Sequence, residues 1–148
     1  MTETRQKTNV IGAIFPVLAK DASNLFEGSR DTFVKFTNFS LPDGSRIVFY
    51  VSCQKLLVGE GRVRHVAKLD PADAWTRYKG RLQLDREDYD KYARFSPVSK
   101  EPRKLKMITV IELDNLRRYR KPVRAFSSMT PSGHYLTKEQ LAAIRNAK

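Results

Sequence analysis

The residues best equipped for chemistry form a run of cations in the last third of the chain. Arg117, Arg118, Arg120, Lys121 and Arg124 crowd one short stretch with no acid among them, and Tyr119 lies between two of the arginines. Guanidinium and ammonium groups neutralise phosphates, and a flat ring beside them can stack on a base, which is the equipment of single-stranded RNA recognition. A second cluster, Lys100, Arg103, Lys104 and Lys106, is diluted by Glu101 and reads equally well as a solvated basic face. Other rings also neighbour cations: Trp75 and Tyr78 lie near Arg77 and Lys79, and Tyr92 and Phe95 flank Arg94. At helical spacing these fit a packed stripe as well as a base contact. Tyr119 and its arginines are the stronger contact candidates.

Other chemistries find little support. His65 and His134 are far apart, and there is no HxxxH, HExxH or CxxC spacing, so a zinc centre is not expected. Cys53 is the single cysteine and reads as a small apolar residue rather than a nucleophile. Ser127 and Ser128 have no patterned base beside them, and no G-x-S-x-G occurs. Gly59-Glu60-Gly61 lacks the third glycine and the strand-turn-helix setting of a dinucleotide fingerprint, and no Walker A run exists. No cofactor is expected.

Composition agrees with a polyanionic partner. The 148 residues include 28 Lys/Arg and 16 Asp/Glu, a net charge of +12. The excess is lopsided, with 10 cations against 8 acids in residues 1–75 and 18 against 8 in residues 76–148. A hydrophobic fraction of 41% and a charged fraction of 30% suit a single folded domain over residues 1–148. Residues 1–8 read as a flexible N-terminus and residues 130–148 as a loop followed by a helix. One cysteine excludes an intrachain disulfide framework. No apolar run is long enough to span a membrane, and Met1–Thr8 carries no apolar signal core, so a cytoplasmic setting is the default. The sequence leaves the oligomeric state open.

The elements that must position these residues follow from local patterns. Val10–Phe15 is a short β-branched run and predicts a buried strand, with Pro16 opening a helix that stops at Gly28. Thr32–Phe36 and Arg46–Ser52 predict strands either side of a Pro42-Asp43-Gly44 turn. A longer strand is expected over Gly59–Leu69, bent at its glycines. Asp70-Pro71 starts a helix bearing Ala74, Trp75 and Tyr78, and Asp85 starts another bearing Tyr89, Tyr92 and Phe95. Leu105–Leu113 alternates as a strand, and Pro122–Phe126 predicts a separate edge strand. Thr137 to Gln140 is a capping box for a closing helix, with Leu136 and Leu141 as its staple. The sum is an α+β chain of five or six strands with short helices between them, a small mixed β-barrel.

The order of these motifs resembles the PUA-like superfamily, the group that holds ASCH, EVE, YTH and PUA domains. Leu25-Phe26-Glu27-Gly28-Ser29-Arg30-Asp31-Thr32-Phe33-Val34-Lys35 is similar to the ASCH helix-then-strand signature. Asp43–Tyr50, Val58–Val63, Trp75–Tyr78 and Ile111–Leu116 with Lys121-Pro122-Val123 resemble the barrel elements that follow. The tail Thr130–Tyr135 resembles an archaeal PUA-like family of unknown function. The resemblance implies a barrel cleft that takes RNA or a modified nucleobase, with Gly28, Arg30, Thr32 and Lys35 along its wall.

Some ASCH members are enzymes, acting on RNA or acylated cytidine, with a motif like Gly-x-Lys-x-x-Thr. Here Asp31 stands at the lysine position and Val34 at the threonine position. A shifted alignment places Arg30 at the lysine position, and arginine, always protonated, is a poor general base.

The expected function is therefore a non-catalytic RNA-binding module for tRNA, rRNA or a modified nucleotide. Arg117, Arg118, Arg120, Lys121 and Arg124 would meet phosphates, Arg30 and Lys35 would orient the ligand, and Trp75, Tyr78 or Tyr119 would stack. Two alternatives are a ribonuclease or nucleoside amidohydrolase drawing on Lys35, Arg30, Glu60 and Tyr50, and a protein-interaction module for an acidic partner.

Overall fold

The computed structural model describes residues 9–94, 101–102, 106–125 and 133–147. Six strands and four helices follow one another: β1 (Val10–Pro16), α1 (Ala19–Phe26), β2 (Thr32–Lys35), β3 (Arg46–Val51), β4 (Leu56–Leu69), α2 (Pro71–Tyr78), α3 (Arg86–Arg94), β5 (Ile108–Arg124), β6 (His134–Thr137) and α4 (Lys138–Ala147). They build one mixed sheet in the order β2-β5-β4-β3-β1-β6, in which only β1 and β3 run parallel.

The sheet curls. In a flat sheet β1 and β2, four steps of about 4.8 Å apart, would be separated by about 19 Å. The rings of Phe15 on β1 and Phe33 on β2 instead lie 5.7 Å apart. No hydrogen-bonded rung joins β2 to β6 among the described residues, so the expected mixed barrel forms but is not closed. Across that seam Tyr135 of β6 stacks on Phe39, with ring centroids 4.4 Å apart.

Strand alternation sorts the side chains into two layers. Ala13, Phe15, Phe33, Ile47, Phe49, Val51, Ile111 and Leu113 fill the inside of the curl. Their neighbours face outward under helices: Ile14, Val48 and Tyr50 join Leu141 and Ile144 of α4, and Val34, Ile108 and Val110 pack with Ala74 and Tyr89 of α2 and α3. Gly12 is obligatory where β1 meets β3, because a Cβ there would lie 1.7 Å from the Arg46 carbonyl oxygen.

Local signals account for most boundaries. Asp70 caps α2 by accepting from the Ala72 N–H, and Thr137 and Gln140 exchange the two bonds of the capping box. Gly44 takes the left-handed conformation (φ 90°) in the Pro42 turn.

Four boundaries differ from expectation. Pro16 ends β1 rather than opening α1, which starts at Ala19. β4 begins at Leu56, three residues before Gly59. β6 adds a strand where only a loop and helix were expected. Above all, the two predicted strands near Leu105–Leu113 and Pro122–Phe126 are one 17-residue strand, β5. Its cationic middle hides the alternation, but its backbone pairs with β4 on both sides of that stretch. The register jumps from Gly59↔Arg118 to Leu57↔Val123, so residues 119–122 bulge out. Pro122 sits in that bulge, where no ladder N–H is required.

Candidate nucleic-acid interface

The basic run is distributed along β5, and the strand sends its members in different directions. Arg117 faces α4, 3.5 Å from Glu60, whereas Arg118 turns to α1, bonding Glu27 at 2.7 Å and lying over the Phe26 ring. Both arginines therefore have acidic partners that the sequence did not reveal. Tyr119 is 3% exposed and its hydroxyl donates to Glu60 at 2.8 Å. Its ring packs among Ile14, Leu57 and Leu136, so it offers no face to a base, contrary to the stacking role expected of it.

Glu60 is the hub of this cluster. It is 4% exposed, accepts from Tyr119 and takes the Arg145 guanidinium of α4 at 2.6 Å. Burial pushes its carboxyl up, but Arg145 and the Tyr119 hydroxyl override that and hold it below the usual glutamate range. Glu60 and Tyr50 lie on the outward layer with α4, and Lys35 lies with Phe15 in the inward layer. The residues proposed for an enzymatic alternative are thus split between two faces of the sheet.

The expected cleft wall is also divided. Gly28 ends α1, its N–H bonded to the Ser23 carbonyl, and a Cβ there would meet Asn24 backbone. Arg30 clamps the following segment, donating to Asp85 at 2.9 Å and to the Leu82 carbonyl. Thr32 is fully buried and its hydroxyl donates to Asp31. Asp31 in turn joins Arg81, Arg64 and Glu112, and Tyr78 donates to Glu112 at 2.7 Å. Burial pushes the Asp31 and Glu112 carboxyls up, and their arginine and hydroxyl partners more than reverse it. The Trp75 ring lies tilted against Tyr89, half-buried beneath Arg86. Arg30, Trp75 and Tyr78 thus brace the helical layer. Lys35 goes elsewhere: it is 8% exposed, and its Nζ sits 5.6 Å from the centroid of Phe15.

What remains of the cationic run is one corner. Arg120, Lys121 and Arg124 are exposed, and none has an ion-pair partner among the described residues. Leu56↔Arg124 pairing brings Lys55 beside them, with its carbonyl accepting from the Ala125 N–H. Lys55, in the tight turn between β3 and β4, escaped sequence reading because nothing in its neighbourhood forecasts that pairing. Phe39 and Tyr135 were missed as well. The buried neighbour Leu136, which faces α4, is the one signal that could have placed Tyr135 on the opposite side of β6.

Of the second cluster, Lys106 is exposed, and Lys100, Arg103 and Lys104 lie outside the described residues, as do Phe95, Ser127, Ser128 and residues 1–8. Among the described residues no three His, Cys, Asp or Glu side chains converge as a metal site, and no helix is long and apolar enough to cross a membrane.

A curled six-stranded mixed sheet, open at one seam and carrying helices on its outer layer, is the fold of ASCH and PUA-like domains. The chain is similar to the solved structure of ASCH from Zymomonas mobilis (TM-score 0.76, 16% identity, covering 92% of this chain and 94% of that one). It is also similar to the N-terminal domain of Staphylothermus marinus McrB (TM-score 0.55, 14% identity, 92% of each chain). No curated protein matches it. The chain belongs to the family described as Domain of unknown function (DUF365), whose pattern it matches over residues 10–138.

Proposed function

We propose that the chain is a non-catalytic RNA-binding domain that holds single-stranded RNA, or unpaired nucleotides of a tRNA or rRNA, against the open end of its sheet. The observation that carries this reading is the corner of Lys55, Arg120, Lys121 and Arg124. These are cations on one end of the sheet, exposed to solvent, with no carboxylate among the described residues to neutralise them. A protein does not gain stability by gathering like charges, whereas a phosphate chain stabilises such a group by releasing its own counterions. The PUA-like fold and the net charge of +12 support the same partner. The scatter of Lys35, Arg30, Glu60 and Tyr50 lends no support to a hydrolytic site.

The test is a salt series of RNA affinity. Binding of a short single-stranded RNA should weaken with a slope of about −0.7 per phosphate neutralised. Replacing Arg120, Lys121 and Arg124 together with alanine should flatten that slope by about 2. Arg117→Ala and Arg118→Ala remove cations already held by Glu60 and Glu27, so each should change it less. An undiminished slope in the triple variant would remove the corner from the binding surface.

A further inference from the structure

We propose that Tyr135, stacked on Phe39 across the open seam, is a base-stacking platform for a nucleotide of bound RNA. The inference rests on the RNA-binding reading above and adds the residue that would hold a base.

Three large apolar side chains are strongly exposed among the described residues, namely Leu18, Met107 and Tyr135, and Tyr135 alone is aromatic. Its exposure is 44%, although one ring face already lies nearly parallel to Phe39, at 15° and 4.4 Å. The exposed area therefore falls on its other face and its edge. The ring is also held still. Its hydroxyl accepts from the Ser40 N–H at 3.3 Å, and Phe39 rests against Phe15 at 5.5 Å, which is fully buried. Gly133 presses the entry to β6 onto this stack: it has φ +91°, and a Cβ there would lie 2.7 Å from Phe15 and from the Ile14 carbonyl. A ring fixed in advance loses little freedom when a base settles on it. Stacking of this kind is indifferent to which base is present, since every base has a π-face.

The strand directions carry the platform and the cations toward one end of the sheet, with Tyr135 opposite Ala13 in the middle of β1 and the cations at the strand ends. β1 runs parallel to β3, and His134 at the start of β6 pairs with Ile14 near the end of β1. β3 ends, β4 begins and β5 ends at that same side, where Lys55 and Arg124 lie. Four strand steps, about 19 Å across the sheet, separate β6 from β5, and the offset from Ile47 to Val51 adds about 13 Å along the strands. A short RNA can lay phosphates on the corner and one base on Tyr135.

The experiment compares two probes on the full chain: a short single-stranded RNA carrying 2-aminopurine, and inorganic polyphosphate, which has charge and no bases. Tyr135→Ala should weaken RNA binding by about 5- to 150-fold and relieve the quenching of 2-aminopurine. It should leave polyphosphate binding unchanged. Tyr135→Phe should bind RNA as the wild type does, because it keeps the ring. If Tyr135→Ala melts below the assay temperature, Tyr135→Leu keeps apolar cover on Phe39 without a π-face and is read in its place. RNA affinity and quenching that survive the loss of the ring overturn the platform and leave the RNA-binding reading standing. A wild-type chain that binds no RNA overturns both.

Discussion

Glu60 is a carboxylate that the fold both buries and feeds. Its two oxygens take Tyr119 and Arg145, so the group ties β4, β5 and α4 together. Removing the Tyr119 hydroxyl leaves a buried acceptor short of one partner, and Tyr119→Phe should cost about 1–2 kcal/mol in denaturant unfolding. Glu60→Gln should cost more, about 2–4 kcal/mol, because it also strands the Arg145 and Arg117 cations. Tyr119→Phe should leave RNA affinity unchanged, since its hydroxyl is buried, whereas Glu60→Gln releases the exposed Arg117 cation and should not weaken RNA binding. Glu60 has its pKa held below the ordinary value, so its contribution is present at neutral pH and is lost as pH falls through the folded value. Nothing next to Tyr119 in the sequence discloses this role. Arg-Tyr-Arg looks like a contact motif until the partner, 59 residues earlier, is brought alongside.

At the scale of elements, α1 holds the opposite kind of acid. Asp21 is 4% exposed, and its Oδ1 has no hydrogen-bond partner. Burial, reinforced by Asp88 and Asp85 and eased by Lys20 and Arg30, pushes its pKa up to about 6. The neighbouring Lys20 is taken up in an ion pair with Asp88. An acid whose folded pKa exceeds its unfolded value favours the fold in its protonated form. Stability should therefore fall as pH rises from about 4 to about 6 and stay level above that. Asp21→Asn should remove this slope and stabilise the chain by about 1–3 kcal/mol at neutral pH, read from urea midpoints across a pH series.

Elements with strong local punctuation were legible in the sequence. The Asp70-Pro71 cap, the Thr137 capping box and the Pro42-Asp43-Gly44 turn all stand where expected. β5 was not legible as one strand, because its bulge at residues 119–122 breaks the period of two at the very place where the cations cluster.

For the molecule as a whole, a net charge of +12 sets two salt effects against each other. Screening relieves self-repulsion, so moderate salt should raise the melting temperature by roughly 2–4 °C, in line with about 1 kcal/mol for a domain of this size. The same salt should loosen RNA. A scan with and without RNA over one salt series would separate the two, since a common sign for both effects contradicts this account. The fold class was readable because alternation and capping are local. The interface was readable only in part. Charge density along a chain says how many cations exist, and the pairing of strands decides which of them are already answered.

The wall of this barrel has one join fastened by rings instead of amide rungs, where Tyr135 meets Phe39. A rung uses up the donor and the acceptor that make it, but two stacked rings hold the join with one face each, and the outer face of Tyr135 is left to meet whatever settles on it. The join can therefore receive a guest while every strand keeps its neighbours.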